Sequence, residues 1–173
     1  MHIIIDGYNL IRQSDTLRRF ERFSLEEGRN QLIRRLVEYK KNRGYKITVV
    51  FDGWIDGSFR EEHLREGGIG IIYSRQGEKA DEVIKRLTEK GGSETVVVTS
   101  DRAVADAAVK SGGVAISSPE FEMKMAIEQM DCTLLDDALE DDDASRTLST
   151  KKKGPARRLS KRKRVTRRTL KKL

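Results

Sequence analysis

The 173-residue chain contains one cysteine, Cys132, and two histidines, His2 and His63. A single thiol excludes an internal disulfide framework and a thiolate zinc cluster, and it suits a reducing compartment. The two histidines are too far apart in sequence for a finger or a metalloprotease motif. Long apolar runs are also missing. The only early one, Ile3-Ile4-Ile5, stops at Asp6, far short of a signal-peptide core or the roughly 20 residues of a membrane span. These absences lead to the expectation of a soluble cytoplasmic protein with no membrane association.

Charge is abundant and unevenly placed. Of the 35 Lys and Arg residues, 13 lie in residues 151–173, which hold no acid, so the first 150 residues carry 22 cations against 28 anions. Seven acids (Asp131, Asp136, Asp137, Glu140, Asp141, Asp142 and Asp143) fall in residues 131–143, which hold no base. The preceding 130 residues then balance at 21 of each sign. This divides the chain into a neutral domain over 1–130, an acidic linker over 131–150 and a basic tail over 151–173. From Asp136 onward the chain is polar, charge-segregated and poor in aromatics, as expected of disordered chain.

Within the neutral part, short apolar runs alternate with stretches of helical period, the pattern of an α/β protein with a central parallel sheet. The strand candidates are Ile3 to Ile5, Ile47 to Phe51, Ile69 to Tyr73, Thr95 to Thr99 and Val114 to Ile116. Their Val and Ile content suits strands covered on both faces. Leu25, Leu32, Leu36 and Tyr39 mark one helix, Ala80, Val83, Ile84 and Leu87 a second, and Ala103, Ala107 and Ala108 a third. A fourth is expected after Pro119, with Met123, Ala126, Ile127 and Met130 on one face. Gly44, Gly91-Gly92 and Gly112-Gly113 stand where the first three should stop.

Ligands in open α/β sheets bind beyond the carboxyl ends of the strands. Asp6, Asp52 and Asp101 each fall within two residues of the end of an apolar run, and Asp81 and Glu82 open the helix after the Ile69–Tyr73 run. Each position also has a purely structural reading, because Asp is favoured in turns and at helix N-termini. Asp52-Gly53 is a turn signature, and Asp101 suits the cap of a helix starting at Arg102. Asp6-Gly7-Tyr8-Asn9 is harder to reduce to a turn, since it follows a buried strand and sets two oxygen-bearing side chains at the expected sheet centre. Together the acids describe hard oxygen ligands suited to Mg²⁺ or Mn²⁺.

Competing chemistries lack their motifs. No G-x-x-x-x-G-K-[ST] run exists, and Gly68-Ile69-Gly70 lacks the third glycine of a dinucleotide fingerprint, so no nucleotide cofactor is expected. A haloacid-dehalogenase-type phosphatase would carry a second Asp where this chain has Tyr8. There is no serine elbow, and neither histidine follows a later strand. Metal-assisted displacement at phosphorus is what remains.

The segments Ile5-Asp6-Gly7-Tyr8-Asn9-Leu10-Ile11, Val50-Phe51-Asp52-Gly53, Lys79-Ala80-Asp81-Glu82-Val83-Ile84 and Val98-Thr99-Ser100-Asp101 resemble, in order and spacing, the YacP-like branch of the NYN domains. Ser117-Ser118-Pro119-Glu120-Phe121 resembles that branch's segment after the last strand. The resemblance covers roughly residues 2–130. It implies a three-layer α/β/α sandwich of the PIN-like kind and a metal-dependent nuclease, a ribonuclease in most branches and a structure-specific DNA nuclease in some. It further implies metal coordination by Asp6, Asp81 and Asp101, with Asn9 orienting the site or the substrate and Thr99 and Ser100 hydrogen-bonding behind it. Asp52 matches a frequent acid, and Asp106 stands where many PIN-like nucleases carry a fourth. Five helical residues turn by about 500°, so Asp106 reaches the site only if Asp101 precedes the helix proper.

Two functions of different class follow. The first is an endoribonuclease with Asp6, Asn9, Asp81 and Asp101 as its catalytic set and Asp52 and Asp106 as further ligands. The second is a non-catalytic RNA- or ribosome-binding protein that acts through its tail; cleavage of DNA by the same acids is a third. The residues expected to bind RNA are Arg12, Arg18 and Arg19, with neighbouring Arg22, and, in the tail, Lys151, Lys152, Lys153, Arg157, Arg158, Lys161, Arg162, Lys163, Arg164, Arg167 and Arg168. A solvated helix face is the plainer meaning of the arginines after Asn9, and Tyr8 suits either base stacking or core packing.

Overall fold

Every apolar run expected to form a strand does so, and together they make the parallel part of one sheet. The computed structural model describes residues 1–41, 44–53 and 59–137 and positions 165, 166 and 169. Its strands are β1 (His2–Asp6), β2 (Lys46–Phe51), β3 (Glu62–Glu66), β4 (Ile69–Tyr73), β5 (Thr95–Val98) and β6 (Val114–Ile116). Their order across the sheet is β3-β4-β2-β1-β5-β6. All neighbours pair in parallel except β3, which runs antiparallel to β4.

The helices are α1 (Gly7–Gln13), α2 (Leu17–Glu21), α3 (Leu25–Lys40), α4 (Ala80–Gly91), α5 (Arg102–Lys110) and α6 (Ser118–Asp137). They cover both faces of the sheet, because side chains along a strand alternate between faces. Ile3 and Ile5 of β1 pack with Leu10, Leu17, Leu32, Leu36 and Phe121 from α1, α2, α3 and α6. Ile4, between them, packs with Val83, Ile84, Val104 and Ala108 from α4 and α5. The α/β protein expected from the sequence pattern, and the α/β/α sandwich implied by the resemblance, are therefore present.

Three elements were not expected. β3 is exposed along its whole length and shows no apolar alternation; its charged side chains suit a sheet edge that must not recruit another strand. Gly67 and Gly68, both at positive φ, make the two-residue turn that pairs Glu66 with Ile69. The helices α1 and α2 are too short for their period to stand out. Gly7, the first residue of α1, lies so close to Phe51 that a Cβ would strike the ring, so a larger residue would push α1 away from β2.

α6 begins at Ser118, one residue before Pro119, and its backbone runs to Asp137, seven residues past the expected domain end at 130. In the tail, where disorder was expected, Val165, Thr166 and Thr169 have helical backbone, and the Thr169 hydroxyl donates to the Val165 carbonyl at 3.2 Å. The other tail residues named above, and the linker from residue 138, lie outside the described residues. Among the described residues no helix is long and apolar enough to cross a membrane.

Candidate active site

The chain leaves β1 toward β2 on one side and later returns to place β5 on the other, so the sheet reverses direction of construction between β1 and β5. That switch point opens a crevice at the carboxyl ends of the strands. Asp6 is the last residue of β1, and Asp101 caps the helix that follows β5. Asp52 follows β2, and Asp81 lies in the first turn of α4. The four acids thus meet at one end of the sheet.

Asp6 is 8% exposed. Its Oδ1 accepts the Asn9 N–H at 3.2 Å, and its Oδ2 accepts the Thr99 hydroxyl at 3.2 Å. Burial pushes its pKa up to about 6, and the charges of Asp81 and Asp52 push the same way against the two hydrogen bonds. Asp81 is also raised, by burial first and then by Asp101 and, more weakly, Asp52, with Lys85 and Lys79 opposing. Asp6 thus feels the charges of Asp81 and Asp52, and Asp81 those of Asp101 and Asp52.

The hydrogen bonds say which oxygens are committed. Asp101 Oδ1 accepts from Ala103 N at 2.7 Å and Val104 N at 3.1 Å, the helix cap anticipated from sequence. Asp52 Oδ1 accepts from Ala80 N at 2.5 Å and so ties the end of β2 to the start of α4. In both, Oδ2 accepts no hydrogen bond from a described residue, so the structural role uses only one oxygen of each carboxylate. Asp101 has extended backbone and precedes the helix proper, which meets the condition set for Asp106. Asp106 is half-buried on α5, but it is not among the leading charges acting on Asp6 or Asp81.

Asn9 is a tie between three segments. Its Oδ1 accepts from Ser100 N at 2.9 Å and from the Ser118 hydroxyl at 2.8 Å, and Ser100 Oγ in turn accepts from Ser118 N at 3.3 Å. The carbonyl is thereby consumed by protein donors, whereas no described residue accepts from the Nδ2 amide. Ser118 was not singled out in sequence, although it belongs to the Ser117–Phe121 segment.

Sequence reasoning also missed Ser74. It is buried; its Oγ accepts from Gly53 N at 3.0 Å and donates to the Glu78 carbonyl at 2.7 Å. Glu78, buried as well, binds Arg86 Nη1 at 2.7 Å and Arg75 Nε at 3.3 Å, and Arg86 also pairs with Glu61. This network fixes the approach to α4, hence to Asp81. No motif signals it, because its members are ordinary polar residues joined only by folding.

Tyr8 is core: it is 9% exposed and meets Phe51 edge-on at 5.2 Å. Arg12 is exposed, lies over the Tyr8 ring at 5.6 Å and pairs with Glu21 at 3.3 Å. Arg18 and Arg19 on α2 and the adjacent Arg22 are exposed. His2 is held neutral near pH 7, its pKa lowered to about 4 by burial and Lys46, with Nε2 at 2.8 Å from Thr48 Oγ1.

For a divalent cation the donor chemistry fits: hard oxygens, mutual repulsion and raised pKa values all favour uptake of positive charge. Among the described residues, however, no group of three or more acidic, histidine or cysteine side chains is drawn together as a finished metal cage.

The pattern of the YacP-like NYN domain matches residues 3–172. Over 87 residues the chain is 30% identical to the Uncharacterized protein YacP of Bacillus subtilis (strain 168), a match covering 50% of this chain and 51% of that protein. The chain thus spans about half the length of that curated relative. The crystal structure of a tryptophan-to-leucine mutant of Rae1 (YacP) from Bacillus subtilis is similar, with 25% identity and a TM-score of 0.66 over 84% of this chain and 87% of that one. A second crystal structure of Rae1 (YacP) gives a TM-score of 0.67 at 24% identity over 80% and 81% of the two chains, which speaks to the fold alone.

Proposed function

Because the chain belongs to the YacP-like NYN domain family, a nuclease-type family, we propose that it is a divalent-metal-dependent endoribonuclease of the cytoplasm. The observation that carries this reading is the gathering of Asp6, Asp52, Asp81 and Asp101 at the switch point of the sheet, where Asp52 and Asp81 act on Asp6, and Asp101 and Asp52 on Asp81. Asp6, Asp81 and Asp101 would hold Mg²⁺ or Mn²⁺, with Asp52 and Asp106 as further candidates. Such an ion supplies Lewis acidity and charge neutralisation at a phosphodiester.

The chain's own groups do the positioning. Thr99 and the Asn9 N–H hold the buried Asp6 carboxylate in one orientation. The Asn9 amide is left to donate to a substrate oxygen. Asp52 fixes the first turn of α4 and with it Asp81. The basic tail, with Arg12, Arg18 and Arg19, would bring the RNA by neutralising phosphates, whereas chemistry stays at the sheet end.

The 13 cations of residues 151–173 favour a second reading, a non-catalytic RNA- or ribosome-binding protein. One experiment separates them: purified protein is incubated with single-stranded RNA, duplex RNA and flap DNA in Mn²⁺, Mg²⁺ or EDTA. Metal-dependent cleavage of single-stranded RNA is expected. RNA binding without cleavage in either metal would leave the second reading, and cleavage of flap DNA alone would make the site a DNA nuclease.

A further inference from the structure

Arg29 lies on the second turn of α3, a helix that the acid site does not use. Its Nη1 donates to the Tyr8 hydroxyl at 3.3 Å, and its guanidinium carbon lies 5.4 Å from the centre of the Tyr73 ring. Beneath them Phe51, fully buried, stacks on Tyr73 at 5.6 Å and 24° and meets Tyr8 edge-on. Three aromatic rings therefore fix the position of one cation. Their places in the chain put that cation at the acidic end of the sheet: Tyr8 is two residues after Asp6, Phe51 immediately precedes Asp52, and Tyr73 immediately precedes Ser74.

Arg29 differs from the arginines that the fold pairs with carboxylates. Arg12 pairs with Glu21, Arg35 with Glu122, and Arg75 and Arg86 with Glu78. Among the described residues no carboxylate pairs with Arg29, and Glu26 and Glu62, whose charges reach Tyr73, are exposed. A half-buried guanidinium loses hydration that one phenol and one ring face replace only in part. Among the described residues one of its five N–H donors is used, and the rest of the planar fork matches an oxyanion with two oxygens to offer.

We propose that Arg29, held by Tyr8 and Tyr73, is a binding residue for a backbone phosphate of single-stranded RNA beside the acidic site. The polymer's identity rests on the nuclease reading above. The physical need is general: a rim of repelling carboxylates rejects a polyanion, so a fixed cation at the same end must hold a phosphate near the one being cut. A lysine would supply the charge without the bidentate geometry.

The test is equilibrium binding of the full chain to a short single-stranded RNA, by fluorescence anisotropy in EDTA across a salt series, with no cleavage required. Arg29→Met should bind about tenfold more weakly at low salt, and its log–log salt slope should be shallower by about 0.7. Arg29→Lys should keep the slope and bind about threefold more weakly, having lost the fork but not the charge. Unchanged affinity or slope in folded Arg29→Met overturns the proposal, as does absence of RNA binding by the wild type. If Arg29→Met fails to fold, Arg29→Lys decides, and wild-type affinity in that variant overturns it. Arg29-dependent binding without cleavage in Mn²⁺ would support the assignment and remove the nuclease reading alone.

Discussion

Thr99 donates its hydroxyl to Asp6 Oδ2 at 3.2 Å and accepts the Asp101 N–H on the same oxygen at 3.1 Å. One buried side chain thus joins the end of β1 to the loop after β5, across the switch point. Thr99→Val keeps the shape and removes both contacts, leaving Asp6 with one donor fewer in a buried place. It should cost about 1–3 kcal/mol in chemical denaturation. It should also raise the acidic limb of the pH–activity profile, because the lost bond favoured ionised Asp6. Thr99→Ser should restore both; a Thr99→Val variant with unchanged stability and profile would show the bridge to be idle.

Replacing Asp6, Asp81 or Asp101 by Asn removes a charge and little volume. Each variant should lose cleavage of single-stranded RNA by about a hundredfold or more, in line with the loss of a group that stabilises transition-state charge. Asp101→Asn should stay folded, because Asn caps helices as well as Asp does. Asp52→Asn should lose less, since its bond to Ala80 N survives in the amide oxygen. Full activity in all three leading variants would end the assignment of the site.

Asp6 also predicts a pH dependence of stability. Its pKa is near 6 in the fold against an ordinary 3.8, so between those values the folded state holds more protons than the unfolded chain. Its stabilising contribution is full below about pH 4 and is lost as pH rises through about 6. In EDTA, Asp6→Asn should therefore flatten the fall in stability over that window and exceed the wild type above pH 6, by at most about 3 kcal/mol. Urea titrations at pH 4 and pH 7 measure it, and a larger wild-type stability at pH 7 would contradict the origin assigned to the shift.

Most of the architecture was readable because strand and helix periods are local properties. β1, β2, β4, β5 and β6 are runs of Val and Ile, and α3 shows its buried face in Leu32, Leu36 and Tyr39, while its cap, the Ser24 hydroxyl accepting from Glu27 N at 2.9 Å, is seen only in the structure. β3 was unreadable because an exposed edge has no buried face to impose alternation. The acids were readable because Asp6, Asp52 and Asp101 sit where strands stop and Asp81 opens the helix after β4. Their partners were not: Ser118 reaches Asn9 across 109 positions and Ser74 reaches Gly53 across 21, distances over which sequence pattern carries no register.

A cation that binds only the folded state stabilises it by mass action. At pH 7, Mn²⁺ at about a hundred times its dissociation constant should add about 2.7 kcal/mol, seen as a rise in Tm. The rise should vanish in Asp6→Asn and shrink in Asp81→Asn. An equal rise in Asp6→Asn would place the ion elsewhere.

Ser74 has no charge and no place in the reaction, yet both the Asp52 turn and the approach to Asp81 hang on its hydroxyl. Gly53 lies against the Ser74 carbonyl so closely that a Cβ would overlap it, so the turn after Asp52 has one position it can occupy. Ser74→Ala strips the buried Gly53 N–H of its acceptor and frees the Glu78 carbonyl, at a cost of about 1–3 kcal/mol. Loosening both loops lets Asp52 and Asp81 drift, so kcat should fall more than KM rises, because the cations proposed to hold RNA are left in place. Ser74→Thr keeps the hydroxyl but must fit a methyl group at a site 1% exposed, so it should recover kcat in part. A merely structural serine would lower stability and leave kcat of the folded fraction untouched, and that result would remove Ser74 from the site.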